Sequence, residues 1–301
     1  VGKFHFETYQ KSFLKGRCFM ETKKLLLGTV LVALSLCISS AFAIDFMGPP
    51  TAELQKGQWS VGYNYVYSSQ DLDKTKVKWS YFEDGELDDS GTEQLKVKDL
   101  KVQRHYATIN YGLSDCWEIY ARLGGADAKA DVRLESLGLD GGINFDNDFA
   151  WGWGTKVTFH KQDNIKWGAS LQMNWLDTSW SEKGSYSEDG YVESWKDEVD
   201  VESYDVLLAV GPTVDMGGWR FYAGPFYYYL SGDFNAKETG TWENEGSGSW
   251  LYKGSGDIKA DSNFGGFVGA QFDLAQNCNM TVEIASTGDG WGLGAAIAWK
   301  F

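Results

Sequence analysis

The sequence predicts an all-β fold, a transmembrane antiparallel up-and-down β-barrel of about ten strands with long extracellular loops and short periplasmic turns. Three observations carry this. Alternation with a period of two recurs from residue 58 to 301, connections between the alternating segments are short and long by turns, and aromatic residues gather at both segment ends around aliphatic middles.

Composition narrows the field first. The 301 residues include 14 Trp, 16 Tyr, 17 Phe and 36 Gly, carry 43% hydrophobic side chains and have a formal net charge of −15. So much apolar and aromatic surface excludes a disordered chain, and the acidic balance excludes a nucleic-acid partner, because it repels phosphate.

In chain order, residues 1–19 read as upstream translation ahead of Met20. Residues 20–43 read as a secretory signal peptide: Lys23 and Lys24 form its basic start, Leu25 to Leu36 its apolar core, and Ala41-Phe42-Ala43 a small-x-small cleavage site before Ile44. Residues 44–57 are expected to be a periplasmic N-terminal segment, and 58–301 the barrel. Beyond Ala43 no run of 18 apolar residues occurs, so a helical span is not expected. Cys116 and Cys278 remain in the exported part and fall at distant turns, so both are expected as free thiols.

The strand-like segments are 59–67, 101–113, 117–124, 149–160, 165–176, 201–214, 219–234, 257–274, 279–286 and 291–301. Short connections rich in Asp, Asn and Gly suit tight turns between antiparallel strands. Long ones fall at about 69–98, 125–148, 177–200 and 235–256. In three of these an aromatic precedes an acidic, Gly-ended turn, at Trp79–Gly85, Ser185–Tyr191 and Trp242–Gly246, which predicts tall hairpins rising beyond the membrane.

A soluble barrel points its large apolar set inward, whereas a membrane barrel points it at lipid. A soluble core gives aromatics no reason to sort by height. Here Trp59, Trp117 and Trp219 lie near short turns and Trp151, Trp175 and Trp291 near long ones, as an aromatic girdle at each interface does.

In the last strand Trp291, Leu293, Ala295, Ile297, Trp299 and terminal Phe301 alternate with small residues. This segment resembles the C-terminal assembly signal of bacterial outer-membrane β-barrel proteins, the small porin and outer-membrane protein A-like class. The resemblance implies an outer-membrane location in a Gram-negative bacterium, lipid and lipopolysaccharide as surroundings, and recognition of Leu293, Ile297, Trp299 and Phe301 by the outer-membrane assembly machinery.

The opposite strand faces line the lumen. Their charges are Arg104, Glu118, Arg122, Lys156, Lys166, Asp205, Arg220, Asp273, Glu283 and Lys300, set among inward glycines such as Gly152, Gly168, Gly292 and Gly294. His160 has the same parity, one residue from a turn. No nucleophile–base or metal-ligand spacing accompanies it, so neither catalysis nor a cofactor or metal is expected. Divalent cations are possible partners of the acidic loops. A small porin-like passive channel for ions or small solutes is the expected function. The alternative is a structural or adhesive surface barrel whose lumen is plugged by charge.

Overall fold

The computed structural model describes residues 44–134, 139–188, 190–244, 246–260 and 263–301, so the upstream and signal segments lie outside the described residues. Among the described residues twelve strands follow one another: β1 (Trp59–Gln70), β2 (Thr75–Glu83), β3 (Glu86–Ser114), β4 (Trp117–Leu134), β5 (Leu139–Gln162), β6 (Ile165–Glu188), β7 (Tyr191–Asp215), β8 (Trp219–Glu243), β9 (Ser247–Lys259), β10 (Phe264–Ala275), β11 (Cys278–Thr287) and β12 (Gly290–Lys300). All pairings are antiparallel, and each strand has a partner on both sides.

The expected count of about ten needs correcting to twelve, and the pairing explains the difference. At the base, β1, β3 to β8 and β10 to β12 close a ring of ten, with β1 joining β12 to β3. The extra strands β2 and β9 form inside the connections read as long loops. They pair with each other, with β3 and with β8, so the upper part is a ring of eight. A bridge between Leu72 and Ala260 ties the shoulder where the ring narrows. The expected hairpin tips are present: Asp84 and Gly85 take φ of 48° and 86° between β2 and β3, and Gly190 takes 84° before β7.

Along single strands the polarity of the two faces inverts. In β7 the outward side chains of the lower half are Tyr204, Leu208 and Val210, all at least 36% exposed, while Asp200 and Glu202 continue the same face above them. The inward face does the reverse, with buried Asp205 and Thr213 below and buried Val201 and Val199 above. In β8 outward Phe221 and Tyr229 give way to Asp233 and Asn235, while inward Phe234 and Ala236 are buried. In β6 outward Leu171 and Trp175 give way to Asp177 and Ser179. The base is therefore apolar outside and the tower apolar inside, as lipid and water respectively demand.

The tower is filled by aromatics lying flat over glycines of the next strand. Trp79 covers Gly91, Trp195 covers Gly184, and Trp250 covers Gly240, where an added Cβ would meet the indole at 2.0 Å. Trp79 also stacks on the fully buried Tyr252, with ring centroids 5.9 Å apart.

Near the tower top, Glu182, Asp197 and Glu238 occupy one rung across β6, β7 and β8. Burial and the facing Asp197 push the Glu238 carboxyl up to about 8, against a hydrogen bond from Trp250 Nε1 at 3.3 Å that favours the charged form. Burial and Glu182 push Asp197 up to about 6. A carboxyl whose folded value lies above its unfolded value stabilises the fold at low pH, and the contribution is lost as pH rises through the folded value. Between pH 5 and 9 the tower should lose on the order of 2 kcal/mol, and Glu238→Gln should remove most of that loss. Thermal unfolding followed by tryptophan fluorescence across that range checks it. Equal pH slopes for wild type and variant would contradict it.

Candidate functional site

The lumen of the base is occupied by the chain's own N-terminal segment. Residues 44–57, expected in the periplasm, instead run up the inside of the ring from its periplasmic mouth. The wall supplies hydrogen bonds that an extended peptide otherwise lacks, because buried backbone groups need partners. At the mouth Gly57 N donates to Gly112 O at 2.8 Å, and the amides of Glu53 and Leu54 donate to Glu118 Oε2 at 2.8 and 3.2 Å. Higher up, Ala52 N donates to Thr158 Oγ1 at 2.9 Å, and Met47 N to Glu283 Oε1 at 3.0 Å. Gly48, with φ of 67°, gives the left-handed turn ahead of Pro49, and a Cβ there would lie 3.1 Å from Lys156 Nζ.

At the top of this plug sits the most buried charge cluster among the described residues. Asp45 Oδ2 accepts from Arg104 Nη1 at 3.0 Å and from Arg122 Nη2 at 2.5 Å. Arg104 Nη1 also reaches Asp205 Oδ2 at 3.2 Å. Asn174 closes the set, accepting from Arg122 Nε at 3.0 Å and donating to Asp205 Oδ1 at 2.5 Å. Arg122 lies over the Tyr106 ring, 4.5 Å from its centroid. Arg104, Arg122, Asp45 and Asp205 are each no more than 2% exposed. Two cations against two carboxylates, with an amide between them, satisfies the condition on which buried charge is tolerated.

A second cluster stands at the mouth. Glu53 accepts from Arg220 Nη1 at 3.2 Å and from Gln271 Nε2 at 2.9 Å, lies 3.8 Å from Lys300 Nζ, and Arg220 also pairs with Asp273. Lys156 stands over the Tyr120 ring, and Lys166 is half-buried on the inward face of β6. The sequence-derived lumen residues thus sit on the inward face, but most of them hold the plug and do not line a water path. His160 is a correction: a register shift between Thr158 and His160 turns it outward, where it is exposed opposite Trp167.

Asp45 and Glu53, which complete both clusters, were missed by sequence reasoning because their segment was read as external. A signal existed in the inward glycines. They do not open a pore. Gly294 is filled by Phe46, Gly292 by Ile44, Gly168 by Pro50 and Thr51, Gly154 by Tyr120, Gly265 by Phe226 and Gly269 by Tyr222. Beside the plug lies a cavity of about 80 Å³ lined by Asn64, Glu118, Tyr120 and Lys156 among others, room for a few waters, and a second space opens at the mouth against Arg220, Asp273 and Lys300.

The outer face of the base carries two aromatic levels. Trp59 packs on Tyr111 at 4.6 Å and Trp219 on Phe272 at 4.5 Å near the periplasmic turns, while Trp151 stacks on Trp175 at 4.4 Å and Tyr67 meets Trp291 at 5.5 Å near the tower. Trp117, Leu293, Trp299 and Phe301 are exposed on the same outer face, with Ile297 half-buried there, and exposed aliphatics such as Val61, Ile109, Leu208 and Val268 fill the band between. The chain is a β-barrel with the outer surface of one that spans a membrane. In this barrel both cysteines are free, Cys116 exposed and Cys278 buried. Directly above the upper girdle, Asp177, Glu202, Asp233 and Asp257 form an exposed line across four strands. No group of side chains that could hold a metal ion occurs among the described residues.

No protein-family description matches the chain, and no curated protein matches it. Solved structures match in shape over most of its length. The outer membrane protease OmpT from Escherichia coli is 10% identical with a TM-score of 0.35, covering 80% of this chain and 97% of its own. The outer membrane protein OprG from Pseudomonas aeruginosa is 12% identical with a TM-score of 0.38, covering 82% and 97%. The COG4313 outer membrane channel from Pseudomonas putida F1 is 10% identical with a TM-score of 0.35, covering 86% and 100%.

Asp45→Ala should remove the carboxylate that Arg104 and Arg122 share and destabilise the barrel by about 3–5 kcal/mol, the usual cost of breaking a buried ion pair from one side. Asp205→Asn should behave similarly. The midpoint of the heat-dependent gel-mobility shift, or of urea unfolding in detergent, measures this. An unchanged midpoint for Asp45→Ala would show that the plug contributes nothing to the fold.

Proposed function

We propose that this protein is a non-conducting structural barrel of the outer membrane, which anchors a rigid eight-stranded tower as a surface for contact outside the cell. One observation carries the reading: among the described residues a peptide plug occupies the base, and apolar side chains pack the tower above it. The plug and its charge clusters occupy the base, and the apolar side chains of Val77, Trp79, Val201, Phe234, Tyr252 and Ile258 pack the tower, each at most 7% exposed. Removing the plug alone would leave this tower core in place above it.

A small passive channel was the expectation from ten strands and a Gly-rich lumen. That reading needs an aqueous route past both the Asp45 layer and the tower core. In the proposed role no reaction is performed. The girdles sit in lipid and lipopolysaccharide, and β12, which pairs with β1 to close the ring and is followed by the exposed Phe301, is the strand offered to the assembly machinery.

Planar-bilayer recording on the refolded chain tests the proposal. Neither the wild type nor a variant lacking residues 44–54 should give unitary conductance steps. Stable steps from the wild type would overturn it in favour of the channel, and steps from the deletion alone would place the only barrier at the plug.

A further inference from the structure

At the upper end of the tower the inward face turns acidic. One rung runs Glu182, Asp197, Glu238 and Tyr252 across β6, β7, β8 and β9, and Glu193 stands on the same face of β7, opposite Trp242 of β8. Exposure falls with depth: Glu182 is exposed, Glu193 and Asp197 are half-buried and Glu238 is buried. The lysines of these strand ends, Lys183, Lys196, Lys237 and Lys253, have the opposite parity and face outward, where Lys196 and Lys237 pair with Glu198. Among the described residues no cation pairs with the four inward carboxylates. Glu193 accepts from Tyr191 Oη at 2.9 Å and Glu238 from Trp250 Nε1 at 3.3 Å, and neither donor brings positive charge.

Aromatic faces lie between these carboxylates. Trp195 sits between Glu193 and Asp197 along β7 and is laid over Gly184, while Trp242 is laid over Gly248, where an added Cβ would meet the indole at 2.7 Å. A ring resting on a glycine of the wall turns its other face toward the barrel axis, and both indoles are only half-buried. At the floor Tyr252 is 0% exposed, its hydroxyl lies in the field of Glu238, Glu93 and Asp89, and it has no hydrogen-bond partner. Asp197 Oδ1 is likewise buried without a partner. Unpaired buried polar groups beside uncompensated carboxylates are a defect unless something else supplies the donor and the charge.

We infer that the upper end of the tower interior is a binding site for an alkylammonium group, carried by a free polyamine or by the lysine side chain of a peptide. Its N–H groups supply the donor that Asp197 lacks, its charge offsets Glu182, Glu193 and Glu238, and its methylenes and charge suit the open indole faces. Repulsion among the carboxylates, which pushes Asp197 and Glu238 up, is relieved by the same charge. A metal ion fits less well, because it needs several oxygens converging on one point and no such group occurs among the described residues. These carboxylates are instead spread out, since inward neighbours stand about 5 Å apart across strands and about 7 Å apart along one. A chain carrying several ammonium groups matches that spread. Such a site needs only the tower, whether or not the base conducts, and it gives the contact surface proposed above a ligand class.

Isothermal titration of spermine and of a tetralysine peptide into the detergent-refolded protein tests this, at one ionic strength and with magnesium chloride as the comparison. Saturable binding of at least one amine, not displaced by magnesium, is expected. Spermine alone binding assigns the site to free polyamines, and tetralysine binding assigns it to lysine side chains. Glu182→Gln combined with Glu193→Gln should weaken binding at least ~10-fold, and Trp242→Leu about threefold, the size of one exposed cation–π contact. Asp200→Asn combined with Glu202→Gln removes the same charge from the outer face of β7 and should leave binding within about twofold. Persistence of the heat-dependent gel shift shows that each variant is folded. If the inward pair does not refold, Glu182→Gln alone, at an exposed position, is compared with Glu202→Gln. Absence of saturable binding by both amines, or equal weakening by inward and outward substitutions, would overturn the inference.

Discussion

The structure depends on one constraint: each long strand has to satisfy lipid on its outer face at one height and water at another. Because side chains alternate with a period of two, a strand can meet both demands without a break only if the chemistry of its two faces exchanges partway up. β6 and β7 do this within two residues, at Trp175 to Asp177 and Glu202 to Tyr204, and β8 within four, at Tyr229 to Asp233. The exchange fixes the height of the membrane on the barrel. It also decides what the interior must be, polar in the base and apolar in the tower, so the two halves are filled by different means.

Ring size sets those means. A ring of about eight strands leaves an interior that side chains alone can fill, and the tower is filled by Trp79, Trp250, Tyr252 and Phe234. The ten-stranded base is wider, and its wall carries glycines where a narrower ring would carry bulk. A peptide segment makes up the difference, and its backbone brings amides that need acceptors. Glu118 and Glu283 accept from it while Asp45 and Glu53 answer the wall's arginines. Charge that reads as a pore lining when the wall is considered alone becomes, with the segment present, a set of fasteners.

Much of this was legible in the sequence. Period-two alternation located the membrane-level strands, the Asp-Gly and Glu-Asp-Gly tips located the hairpins, and the sorting of tryptophans by height located both interfaces. The parity rule also put the lumen charges on the inward face. It failed at His160, where one extra residue in β5 shifts the register and no local residue announces it. Strands β2 and β9 were hidden because their outward residues are as polar as any loop, and only pairing with β3 and β8 makes them strands. The plug was hidden for a different reason. Residues 44–54 have no period at all, since their conformation is dictated by the wall around them.

Site-directed spin labelling gives the most direct test of the polarity exchange. Single labels at Leu171, Leu208 and Phe221 should be relaxed by dissolved oxygen and shielded from a water-soluble nickel complex, while labels at Ser179, Asp200 and Asn235, on the same outer faces of the same strands, should show the opposite. A nickel-accessible Leu208, or oxygen-dominated relaxation at Asp200, would mean that the boundary between lipid and water does not lie where the faces exchange.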